Sequence, residues 1–238
     1  MMNKKYLFFS LVVLLSLILT ACGGTAVAPA PEPTTEPAPI QEEAPAKTTA
    51  GGTRTFVVDP SASQASYTVN EEFFVDALRK LGIEAGKRVV VGTTPGVTGE
   101  IQLNFDSPDL MQSAQFTVDM SGLKTDQDRR DEWLGDNAIE YNAFPKATFT
   151  ATSVSGLPET INEGEDVNFQ LTGDLTVRDV TKSVTFDVTA VLTGDTLQGT
   201  ATLPLNMTDF GITPPDFANT LTVGDAFTIQ IDLTARES

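Results

Sequence analysis

Strict alternation of apolar and polar residues is the feature that most restricts what this chain can fold into. It is plain in Val97-Thr-Gly-Glu-Ile101-Gln-Leu103-Asn-Phe105. It recurs in Phe116–Met120, Ala147–Ala151, Val167–Val177, Ser183–Leu192, Leu197–Leu205 and Phe227–Leu233. A period of two sends successive side chains to opposite faces of a strand. Thr fills much of the polar face, so each strand has a wet side and a dry side, as antiparallel sheets do. Gly194-Asp195 and Gly224-Asp225 are expected as hairpin turns. The pattern predicts an all-β chain, a single antiparallel barrel of about eight strands whose closure removes exposed edges.

Two segments break the alternation. Asn70–Leu81 sets Phe73, Phe74, Ala77, Leu78 and Leu81 at helical spacing, with Gly82 as a stop, which predicts a short amphipathic helix laid over a barrel opening as a flap. Asp126–Ile139 is polar, with Trp133, Leu134 and Ile139 on one side, and predicts a second short helix packed on the barrel.

Composition removes most catalytic chemistries. The chain has no His and one Cys, which excludes Ser-His-Asp and Cys-His nucleophiles, His-based or Cys-cluster metal sites, and an intrachain disulfide. A net charge of −17 repels nucleic-acid phosphates. Asp174 after Gly173, and Asp179, are explained by turn chemistry rather than as an acid–base pair. One Trp and three Tyr make a poor sugar platform for two carboxylates to work across. A non-catalytic chain without cofactor or metal is expected.

Residues 1–22 pair Lys4 and Lys5 with an apolar run from Tyr6 to Leu19. That is an export signal, since a run of about 14 residues is shorter than the roughly 20 a spanning helix needs. Its end, Leu19-Thr20-Ala21-Cys22, resembles a bacterial lipoprotein signal. The resemblance implies that Cys22 is lipidated and anchors the mature chain to a membrane outside the cytoplasm. Residues 23–53 hold six Pro (29, 31, 33, 37, 39 and 45) among Ala, Thr and Glu. Such a segment cannot bury enough apolar surface to order itself and is expected as a disordered tether. Residues 54–238 then form the barrel domain.

Further motifs stand in register. Thr125-Asp-Gln-Asp128-Arg129-Arg130-Asp131-Glu-Trp133-Leu134 is followed by Tyr141-Asn-Ala-Phe144-Pro145-Lys146-Ala147-Thr-Phe149. Leu171-Thr-Gly173-Asp174-Leu175-Thr176-Val177, Val180-Thr181-Lys182 and Asp209-Phe210-Gly211-Ile212 come next. In this order they resemble the YceI-like family of exported, lipocalin-like barrels, over roughly residues 54–236. The resemblance implies an apolar tunnel holding a long polyisoprenoid or other apolar lipid, for transport, storage or sequestration. The chain departs from the family pattern in lacking His in its first strands and in a longer excursion over Glu71–Thr94.

The Asp128–Asp131 charge run reads as a structural network that pins a helix to a loop. The candidate tunnel lining is Phe73 and Phe74 from the helical stripe, joined by Ile101, Leu103, Phe105, Phe116, Phe149, Phe169, Leu171, Phe186, Val188 and Phe210 from the apolar inward set. Fourteen Phe against four Tyr and Trp would make a tunnel greasy and poor in hydrogen-bond donors. An eight-stranded barrel can also be filled by its own side chains, so the alternative is a structural or interaction barrel with a filled core. Periodicity does not choose between the two.

Overall fold

The computed structural model describes residues 51–74, 85–218 and 220–238. The signal and tether expected over residues 1–53 therefore fall almost wholly outside the described residues.

The alternating segments form strands β1 (Thr53–Val58), β2 (Gln64–Phe73), β3 (Gly86–Thr94), β4 (Gly96–Asn104) and β5 (Met111–Asp119). There follow β6 (Lys146–Ser155), β7 (Asp166–Val177), β8 (Val180–Thr193), β9 (Thr196–Asn206), the two-residue β10 (Asp216–Phe217) and β11 (Leu221–Glu237). Eight of them close an antiparallel ring in the order β1-β4-β5-β6-β7-β8-β9-β11, with β11 returning to β1.

The closure depends on one break in the chain. β1 and β2 run along the same edge of β11, β1 against Ala235–Glu237 and β2 against Leu221–Asp232. Between them, Pro60–Ala62 form a 3₁₀ turn capped by Asp59, whose Oδ1 accepts from Ser61 N–H at 3.0 Å. Proline suits this first turn position because it has no N–H to leave unsatisfied. Past the turn, the free edge of β1 takes β4 and that of β2 takes β3. The β2–β3 hairpin is thus an extension of the wall beside the ring.

Two turn readings are corrected. Gly194-Asp195 does join β8 to β9, with Gly194 at φ 59°. Gly224-Asp225, expected as a hairpin turn, instead lies inside β11, at a bulge between Val223 and Phe227. Asp225 is held there by accepting from the backbone and hydroxyl of Thr208 at 3.0 and 2.9 Å. Gly173-Asp174 is not a turn either: Asp174 faces outward from the middle of β7, opposite Ser183. A Cβ at Gly173 would stand 2.5 Å from Cζ of Phe149. The glycine therefore makes room for that ring.

The helix expected over Asn70–Leu81 is also corrected. Asn70–Phe73 end β2 and pair on both edges, with Leu221–Val223 of β11 and Gly86–Val89 of β3. Asn70 itself pairs only with Val89. Ladder bonds on two sides outweigh a weak helical spacing. Residues 75–81, the rest of that expected helix, lie outside the described residues. The second helix is present as α1 (Asp128–Trp133), continued by a wider π turn over Leu134–Ala138.

Candidate functional site

The ring is not filled. A cavity of about 570 Å³ runs inside it, within the roughly 300–1,000 Å³ of ligand pockets generally. One end is bordered by the β4–β5 and β6–β7 connections, through Phe105, Leu110, Leu157 and Ile161. The other is bordered by α1, the end of β2 and the β9–β11 connection, through Trp133, Phe73 and Phe217.

Eleven of the twelve candidate lining residues border this space. Phe73 ends β2, Ile101 and Leu103 lie on β4 with Phe105 just beyond, and Phe116 and Phe149 come from β5 and β6. Phe169 and Leu171 lie on β7, Phe186 and Val188 on β8. Phe210 stands in the 3₁₀ turn Met207–Phe210 and is 1% exposed. Phe149 meets Phe186 edge to face at 5.2 Å and stacks on Phe116 at 6.5 Å. Such pairs are rigid and leave the cavity a defined wall. Phe74 does not join them. It follows Phe73 at opposite parity and is 38% exposed, a consequence of strand rather than helix geometry at this point.

The helical reading also hid something. Ala65, Tyr67, Val69, Glu71 and Phe73 are the inward set of β2, so one carboxylate points into an apolar interior. Glu71 is 4% exposed and takes two parallel hydrogen bonds from Arg130 on α1, Nε to Oε1 and Nη2 to Oε2, each 3.1 Å. Arg130 also bonds Thr125 at 3.1 Å and contacts Asp126. Burial works against the Arg130 charge, but the bonds from Asp126 and Glu71 outweigh it and hold its pKa above the ordinary value. Tyr67 lies beside this pair, its ring resting on Gly92, where any Cβ would collide. Burial pushes the Tyr67 hydroxyl well above its usual pKa, keeping it a neutral donor.

Asp131, 2% exposed, faces the other way. Its Oδ1 accepts from Thr125 N–H at 2.9 Å and from Thr125 Oγ1–H at 2.7 Å, and Lys124 Nζ stands 3.7 Å from Oδ2. Tyr141 donates its hydroxyl to the Asp131 carbonyl. The charge run thus does what its composition suggested: Asp131 fastens α1 to the preceding loop, and Arg130 fastens it to β2. The sequence signal for the Glu71 partner was a charge at an inward position of an alternating segment, concealed by reading that segment as helix.

Among the described residues, no group of three carboxylates or thiols is placed to hold a metal. The strand backbones are paired around the ring, and its outer face carries Thr and Asp residues bonded to each other across strands, such as Thr200 to Asp232 at 2.8 Å. The fold and site define a class: a closed antiparallel barrel, polar outside, built around an apolar cavity.

The family of the YceI-like domain matches residues 56–235, and the chain belongs to it. Among solved structures it is similar to BcnA of Burkholderia cenocepacia, at 19% identity and a TM-score of 0.54, covering 74% of this chain and 98% of that one. A polyisoprenoid binding domain from Saccharophagus degradans, implicated in plant cell wall breakdown, gives 13% identity, a TM-score of 0.54, and coverages of 77% and 98%. A YCEI protein of Campylobacter jejuni gives 18%, 0.50, 62% and 84%. At these identities the likeness is one of fold. No curated protein matches the chain.

Proposed function

We propose that this protein is a non-catalytic carrier that holds a long apolar lipid, polyisoprenoid-like, inside its barrel. The observation that carries this reading is the continuous cavity of about 570 Å³, walled by Phe and aliphatic side chains, where a filled core would have been expected of a purely structural barrel. The polyisoprenoid binding of the Saccharophagus degradans domain supports the same ligand class. Affinity would come from burial of the chain, at roughly 25 cal/mol per Å² removed from water, which needs no catalytic residue. The lipobox-like end of the signal at Cys22 supports a lipid-anchored location outside the cytoplasm, from which such a carrier would transport, store or sequester its cargo. Native mass spectrometry of the protein purified from its own envelope, followed by organic extraction, tests the reading. A stoichiometric long-chain lipid is expected. A protein that yields none, from its host or from added lipid mixtures, overturns it.

A further inference from the structure

The cavity carries a charge that apolar cargo alone does not explain. Among the described residues, only Glu71, Arg129 and Arg130 are charged and border it, and α1 and the end of β2 gather all three at one end. The chain as a whole is strongly acidic, at −17, yet these three sum to one positive charge. Arg130 is already spent on Glu71 and Asp126. Arg129, its neighbour on α1, is exposed and reaches the cavity without an ion pair or hydrogen bond to any described residue. Asp128 and Glu132 share its helix but lie beyond pairing distance of it, and Asp126 is taken up by Arg130.

We infer that Arg129 is a specificity-determining residue, selecting amphiphiles whose head is an anionic phosphate or carboxylate. This rests on the apolar-ligand reading above. The head meets Arg129 at the α1 end, and the tail runs toward Phe105 and Leu157. A planar guanidinium suits such heads, since its paired N–H groups match the oxygens of phosphate and carboxylate. A neutral alcohol of equal chain length would bury the same apolar surface without that contact.

The test uses detergent-solubilised full-length protein given equimolar pairs: geranylgeranyl phosphate with geranylgeraniol, and palmitate with hexadecanol. The bound lipid is extracted and quantified. The anionic member should be retained in about tenfold excess, the size of one charge-assisted hydrogen bond. Arg129→Gln should bring the ratio near unity, and Arg129→Lys should keep much of it. Because Arg129 is exposed and unpaired among the described residues, both variants should fold. An excess in the phosphate pair alone supports the inference with an isoprenyl phosphate as source, and one in the palmitate pair alone with a fatty acid. Equal retention by the unaltered protein, or an excess that survives Arg129→Gln, overturns the role of Arg129 while leaving the apolar cavity in use. Retention of none of the four lipids overturns the carrier reading itself and this inference with it.

Discussion

Glu71 and Arg130 stand 59 residues apart in sequence and meet in a two-bond ion pair, each bond 3.1 Å long, that ties α1 to the end of β2. The pair is nearly dry, with side-chain exposures of 5% and 13%. Removing Arg130 strands the buried Glu71 carboxylate, and removing Glu71 leaves the Arg130 guanidinium with only the exposed Asp126 as an ionic partner among the described residues. Glu71→Gln or Arg130→Met should each cost about 3 kcal/mol of stability, whereas Glu71→Leu with Arg130→Met together should recover most of the loss. Urea unfolding of the four proteins reads this. A double variant no more stable than the singles would show that the pair itself, and not the orphaned charge, sets the cost.

Phe73 and Phe74 are neighbours with opposite fates. Phe73 is 8% exposed, packs inward and has the Arg88 guanidinium 5.3 Å over its ring. Phe73→Ser should therefore destabilise by about 3 kcal/mol, and Phe74→Ser by less than about 0.5. Equal costs in thermal unfolding would mean that the strand parity at this point is wrong.

Ala201 faces the cavity between its strand partners Val188 and Ile231. A Trp there would project past the packed side chains of the wall into the space the cargo would occupy. Ala201→Trp should abolish lipid retention at a cost in stability of about 1–3 kcal/mol, read by thermal unfolding of the same variant. A variant that folds and still carries a full complement of lipid would place the cargo elsewhere.

Asp59 and Asp119 occupy equivalent positions, each ending a strand and capping a 3₁₀ turn. The hydroxyl and then the N–H of the serine two residues on hold both carboxyls below the ordinary value of 3.8. A folded-state pKa below the unfolded one gives stability that is present above the unfolded value and lost as pH falls through the folded one. Ser61→Ala with Ser121→Ala should thus lower stability at neutral pH and flatten its decline below about pH 4, because the folded-state pKa values then move toward the unfolded ones. Parallel stability–pH curves for the variant and the unaltered protein would show that these serines do not set the titration.

Cys22→Ser should abolish incorporation of labelled fatty acid and leave the precursor unprocessed by the lipoprotein pathway. The check is metabolic labelling with fractionation after a salt wash. Should the unlabelled variant stay with the membranes, something other than a lipid on Cys22 holds the protein there.

Much of the barrel was legible because a period of two is a local property. Val167–Val177 and Ser183–Leu192 declare one wet face and one dry face in any context, and burying the dry face leaves little choice but a curved antiparallel sheet. The same parity located nine cavity-lining residues, from Ile101 to Val188, without knowledge of a single contact. Helical spacing misled at Asn70–Phe73 because four residues satisfy either period, and only ladder bonds from β11 and β3 settle which one holds. Gly224-Asp225 misled for a related reason: a glycine followed by Asp suits a bulge inside a strand as well as a turn between two.

What the sequence alone determined, then, is the face each strand residue occupies and the chemical character of the interior, since both follow from order along the chain. Whether that interior is filled depends on the ring's diameter and on how far Phe149, Phe186 and Phe210 reach across it, which are distances between strands remote in sequence. The pairing of Glu71 with Arg130, and the lack of a partner for Arg129 among the described residues, are likewise outcomes of where α1 comes to rest. Side chains 59 residues apart carry no local sign of each other; only the closed barrel brings their charges to one end and leaves the rest of the cavity apolar.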